Sequence, residues 1–302
     1  MFTSRTGRLQ PGWSFLLSVA FSLAAFMGCS IVAGLFSGEH VLRFETIFRP
    51  LLSLALFWLY FWLLTVADQV EDHRASALGF PLASGWRRQF ASGCLLGILL
   101  TVLAVLPLVI WGQISFDIRL SSRGFLRVAV VFLVLIFGAL AEELMFRGYP
   151  FQRLEEAIGS VGAIAVFSLL FALVHLSNPG ASPLGLANTV LIGIVLAIAY
   201  LRTRALWLSW GIHFGWNVSL GLLLGLPVSG LRLFNVLMRA SVKGPRWMTG
   251  GGYGLEASAP GVFAVGVGLL VIWKWPVARL GKPLTYPTAE PEHLDGIAGI
   301  QN

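Results

Sequence analysis

Glu142 and Glu143 stand side by side in Gly138-Ala-Leu-Ala-Glu-Glu-Leu-Met-Phe-Arg147-Gly-Tyr-Pro150, at the end of a run from Phe125 to Phe146 that is otherwise almost continuously apolar. A carboxylate at the centre of a membrane span costs roughly 2.5–3.5 kcal/mol even on lenient scales, so an acid kept there is a functional candidate. Two imidazoles are placed in the same way, in Phe171-Ala-Leu-Val-His175 and His213-Phe-Gly-Trp-Asn217. Each motif spaces its ends by four residues, which puts them on one helix face a turn apart. Glu143 and Arg147 share that spacing, so an ion pair along the helix can offset the cost of the second carboxylate. The other histidines, His40, His73 and His293, lie in polar segments.

Two carboxylates, two imidazoles and an amide are the parts of a water-activating hydrolytic site. A desolvated carboxylate is a stronger base than one in water, and an imidazole exchanges protons near neutrality. The remaining histidine and the asparagine suit the donation of hydrogen bonds to a tetrahedral oxyanion. Glu142, His175 and His213 are equally a two-His, one-Glu zinc set with its fourth position open to water, although the H-E-x-x-H helix of common zinc proteases is absent. The residues leave the two chemistries open. Taken singly, the motifs have plainer uses: a salt-linked helix end, a packed histidine, Phe171 as core, Asn217 as an interhelical hydrogen bond. Their gathering in three hydrophobic spans with almost no other ionisable group is what favours a site.

The elements that must position these residues are membrane helices. The chain is 57% hydrophobic and 12% charged, with a mean hydropathy of +0.81, whereas soluble domains carry about 25% charged residues. Apolar runs at 13–36, 51–67, 90–111, 125–146, 161–176, 184–201, 205–226 and 261–275 predict an all-α, polytopic fold of about eight transmembrane helices around a polar intramembrane cavity. Pro50, Pro183, Pro227, Pro260 and Pro276 mark span edges, where a missing amide hydrogen costs least. The run at 13–36 continues past Cys29, so it reads as an uncleaved signal-anchor. Residues 1–124 hold the first three helices, 125–226 the core with four, and 227–302 a long Gly-rich connection with a short amphipathic piece near 231–239, the last helix and a polar tail.

The net charge of +7 belongs to loops and an anionic membrane surface, and no nucleic-acid-binding face is indicated. Lys and Arg are denser on the side holding both termini, which predicts cytoplasmic termini. Cys29 and Cys94 sit in apolar runs and suggest neither a disulfide nor a Cys-based metal site. The midpoint between Glu142 and His175 falls at Ile158-Gly159; a turn there would fold the two arms into a hairpin with both residues at one depth, unless Tyr149-Pro150 kinks the first arm.

The ordered set Glu142-Glu143-x-x-x-Arg147, Phe171-x-x-x-His175 and His213-x-x-x-Asn217 resembles the CAAX-protease and bacteriocin-processing (CPBP, or ABI) family of intramembrane proteases, which includes type II CAAX prenyl endopeptidases. Arg147-Gly-Tyr and the later Thr249-Gly-Gly-Gly-Tyr-Gly-Leu-Glu256 also resemble bacterial members. The resemblance implies an eight-helix fold with a cavity open to lipid, in a bacterial cytoplasmic membrane, and cleavage of a peptide bond in a membrane-associated protein or peptide, prenylated or bacteriocin-like. It implies that Glu142 and His175 activate water, that His213 and Asn217 stabilise the oxyanion, and that Glu143 and Arg147 support them. The family is named for metalloproteases, yet a metal-free glutamate mechanism fits its fold, so zinc on Glu142, His175 and His213 stays an alternative. A non-enzymatic immunity or scaffold protein and a proton-coupled transporter are the rival functions; against the transporter stands the absence of an inverted repeat. Oligomeric state is not legible.

Overall fold

The computed structural model describes residues 85–118, 124–232 and 237–274. Its helices are α1 (Trp86–Ile110), α2 (Gly124–Arg147), α3 (Tyr149–Val174), α4 (Pro183–Thr203), α5 (Leu206–Asn217), α6 (Arg246–Thr249) and α7 (Ala259–Lys274). Two strands, β1 (Ile114–Ile118) and β2 (Met238–Val242), join them. The runs expected from residue 90 onward fall mainly on helices, the one at 205–226 being divided between α5 and a π-helical segment that ends at Leu223, while the expected spans at 13–36 and 51–67 lie outside the described residues. The count of eight therefore stays an expectation.

That these helices face lipid is argued by α1. Its buried face carries Leu96, Leu100, Ala104 and Leu108, and its exposed face carries Leu95, Leu99, Val102, Leu106 and Val109, each about half exposed. A helix on a water-soluble core would have a polar outer face; an apolar stripe on both sides needs a second apolar medium. Stretches 86–110, 127–174 and 183–203 are long and apolar enough to cross a membrane, and α7 is a shorter apolar helix. The protein is a mostly helical, integral membrane protein.

Glycine brings α1 and α5 into backbone contact. A Cβ at Gly97 would lie 2.3 Å from the Ile212 carbonyl oxygen, and one at Gly215 would lie 2.4 Å from that of Cys94. Gly93 and Gly211 complete two facing Gly-x3-Gly rows, the small-residue surface that lets membrane helices approach closely. Around this crossing Phe90 packs on Trp210 at 4.5 Å between ring centroids and on Phe214 at 6.2 Å. The Trp210 indole donates to the Ile136 carbonyl (2.9 Å), fixing α5 against α2. Cys94 is a free, half-buried thiol in this interface.

The predicted turn at Ile158-Gly159 is present. Gly159 has φ 82° and ψ 166°, a conformation costly for any residue with a Cβ, and it interrupts α3. A second break at Gly148 separates α2 from α3, with Pro150 tolerated in the first turn of α3. The described parts of the connection at 227–259 hold regular structure. The middle of the amphipathic piece expected at 231–239, residues 233–236, lies outside the described residues; at its end Met238 and Arg239 begin β2, which pairs antiparallel with β1 in the register Ile114↔Val242 to Ile118↔Met238. Asp117 faces Arg239 there, an opposite-charge cross-strand pair. The fold is mostly helical, as expected, with one two-stranded ribbon added among the described residues.

Candidate active site

Glu143 and Arg147 form the buried base of the cluster, both with fully buried side chains. Their spacing on α2 produces the expected ion pair, Arg147 Nη1 to Glu143 Oε1 at 3.2 Å. Arg147 Nη2 donates to the Gly193 carbonyl on α4 (3.1 Å), and the guanidinium stacks over the Phe171 ring at 4.8 Å. The α2 and α3 arms therefore meet at the level of Arg147 and Phe171, one turn from the Glu pair and from His175 respectively.

His213 lies between the two carboxylates. Its Nδ1 is 2.9 Å from Glu143 Oε1, and since a carboxylate only accepts, that nitrogen carries the hydrogen. Nε2 faces Glu142 Oε2 at 3.6 Å. Glu142 differs sharply from its neighbour: its side chain is 36% exposed, against 0% for Glu143. Its Oε2 is buried and has no hydrogen-bond partner among the described residues.

His175 caps the C-terminus of α3, half-buried. Its Nδ1 donates to the Phe171 carbonyl (2.7 Å), which leaves Nε2 as the nitrogen able to accept. The Phe171 ring touches His175 and His213 together, with centroids 4.7 and 6.1 Å away. Phe171 is core, as its plainer reading has it. Asn217 ends α5 one turn after His213, and the helix widens at once into a π-helical segment, Val218–Leu223, of the kind that often accompanies function.

A four-coordinate zinc needs N and O donors at about 2.0–2.2 Å from a common point. Among the described residues no group of three or more His, Cys, Asp or Glu side chains could hold a metal ion. Nδ1 of His175 is engaged by a carbonyl and Nδ1 of His213 by Glu143, which leaves the two Nε2 atoms as the nitrogens that could bind a metal, so the misfit lies in the spacing of the donors and not in their tautomers. As arranged, Glu142, His175 and His213 do not fit a three-ligand zinc site.

Beside these residues stands a wall from the Thr249–Ser258 segment. Tyr253 is fully buried. Thr189 Oγ1 donates to the Gly185 carbonyl, so the Tyr253 hydroxyl donates to Thr189 Oγ1, at 3.3 Å. Glu256 is 3% exposed. Burial lifts both the Tyr253 phenol and the Glu256 carboxyl above their ordinary ranges. Only resemblance drew attention to this segment; no spacing in it predicts a buried acid.

The six residues fall within 124–219, the part of the chain that matches the family model described as type II CAAX prenyl endopeptidase Rce1-like. This match agrees with the family resemblance that the three motifs carry. No curated protein and no solved structure matches the chain.

Proposed function

We propose that the protein is an intramembrane endopeptidase that hydrolyses a peptide bond of a membrane-associated protein or peptide with water activated by Glu142 and His175. The observation that carries this reading is the division of labour in the Glu pair. Glu143 is wholly buried and committed to Arg147 and His213, whereas Glu142 is part-exposed beside His213 Nε2.

Water held by Glu142 and by the accepting Nε2 of His175 gives up a proton as its oxygen attacks the scissile carbonyl carbon. Negative charge develops on the carbonyl oxygen. His213, in its imidazolium form, donates to it from Nε2, and the Asn217 amide donates one turn further along the same helix. The carbon–nitrogen bond then breaks, and the departing amine takes the proton that the carboxylate has carried. Glu143 holds Nδ1 of His213 so that Nε2 points into the site, and Arg147 neutralises Glu143.

Substrates of the class, prenylated or bacteriocin-like peptides in a bacterial cytoplasmic membrane, are the natural candidates, with both termini of the enzyme on the cytoplasmic side. The test compares new peptide termini in membranes of cells expressing the native chain or Glu142→Gln at matched levels. Termini that appear only with the native chain support hydrolysis and name the substrate. Identical termini alongside an unchanged phenotype would overturn it in favour of a non-enzymatic scaffold.

A further inference from the structure

One buried carboxylate outside the three motifs touches the supports of both halves of the site. Glu256 Oε1 accepts from the Trp216 indole Nε1 at 3.2 Å, and Oε2 accepts from the backbone N–H of Ser229. Trp216 lies between His213 and Asn217, so the first bond fixes the roll of the turn that presents them. Ser229 is held at φ 45°, an uncommon value for a residue with a side chain. Its carbonyl accepts from Asn178 Nδ2 (2.9 Å), and the Asn178 N–H in turn donates to the His175 carbonyl (3.1 Å). The second bond therefore reaches the turn that carries His175. The backbone carbonyl of Glu256 accepts from Asn188 Nδ2 on α4 (2.9 Å), which anchors the acid itself. The Gly-rich chain around it makes the approach feasible: a Cβ at Gly250 would lie 1.6 Å from the Gly254 carbonyl oxygen.

We propose that Glu256 is a positioning residue of the hydrolytic site, a single carboxylate tying the His175 turn to the His213–Asn217 turn. The assignment rests on the hydrolase reading above. It explains why an acid is used: both partners are N–H donors, and a carboxylate presents two acceptors where an amide presents one. Glu256→Gln keeps the shape and sets an NH2 against one N–H, breaking one tie. Displacements near 1 Å in a catalytic group cost about 100-fold in rate.

The experiment uses the full chain in detergent and, as probe, a synthetic peptide spanning a cleavage site found by the Glu142→Gln comparison. Glu256→Gln is expected to lower kcat about 10- to 100-fold with KM within about twofold. In 15N-tryptophan-labelled protein the Trp216 indole resonance, assigned with Trp216→Phe, is expected to move upfield. Trp216→Phe and Asn178→Ala each remove one tie without altering the acid, and should lower kcat in the same way even if Glu256→Gln fails to fold. The proposal is overturned if kcat and the indole resonance of Glu256→Gln match the native protein, or if all three variants lose kcat only in proportion to their melting temperatures. Failure of the hydrolase reading looks different: the native chain itself then yields no Glu142-dependent termini, whatever Glu256 does.

Discussion

At the residue scale, two chemically identical neighbours are given opposite tasks by their surroundings. Glu143 is buried against a cation that is buried with it, and neither can be left alone in a low-dielectric interior. Removing one partner of such a pair typically costs about 3–5 kcal/mol, while replacing both by apolar groups is often close to neutral. Arg147→Met should therefore lower the melting temperature in detergent much more than the Glu143→Gln/Arg147→Met double variant does; equal losses would show that the pair contributes nothing beyond packing. Glu142 is part-exposed and 3.6 Å from His213 Nε2 rather than locked to a buried guanidinium, so Glu142→Gln should leave the melting temperature within a few degrees while abolishing cleavage. The donor geometry makes a further point: Glu142, His175 and His213 do not converge on one ligand position. Prolonged dialysis against a chelator should leave peptide cleavage unchanged, and a loss restored by zinc would show that the three donors rearrange to bind it.

At the element scale, the site depends on how closely α5 approaches α1, because His213 sits between Gly211 and Gly215 in the crossing. A Cβ at Gly97 would come within 2.3 Å of the Ile212 carbonyl oxygen and 2.6 Å of the Trp216 N, neither of which can swing aside. Gly97→Ala must push the helices apart and carry His213 and Asn217 with α5. The expected result is a fall in kcat of about 100-fold for a shift near 1 Å. Gly266→Ala, whose new Cβ would meet nothing within 4 Å, serves as the neutral control. Comparable activity of the two variants would mean that α5 is not positioned by this contact. The same elements mark where sequence reading succeeds. Long apolar runs locate the described helices, and the midpoint argument locates the break at Gly159, because both are local properties of the chain. Gly93-x3-Gly97 and Gly211-x3-Gly215 are a local sign of close packing too, but one that the motifs and apolar runs above did not take in. The β1–β2 pairing and the burial of Glu256 are not legible in this way, because each arises from segments far apart in sequence; Ile-Ser-Phe-Asp-Ile and Met-Arg-Ala-Ser-Val do alternate apolar and polar residues, the local sign of a strand, but nothing local says that the two pair.

At the scale of the whole molecule, the exposed surface decides where the protein works. Leu95, Leu99, Val102, Leu106 and Val109 on α1, with Phe263, Leu270 and Trp273 on α7, form apolar outer faces that water would penalise and lipid tails accept. Arg239, Lys243 and Arg246 instead cluster around β2 and α6, between the span ends. In lipid this arrangement is expected to put the ribbon and α6 at the headgroups and the outer face of α1 in hydrocarbon. Spin labels introduced singly at Leu99, Leu106 and Lys243, in a background lacking both native cysteines, give a direct check after reconstitution. Oxygen partitions into the bilayer and a charged nickel chelate stays in water. The labels at 99 and 106 should respond to oxygen and be shielded from nickel, with the label at 243 reversed. Nickel access at Leu99 equal to that at Lys243 would mean that the outer face of α1 meets water or a polar partner, and the chemistry would then have to be reconsidered as that of a site open to the aqueous phase.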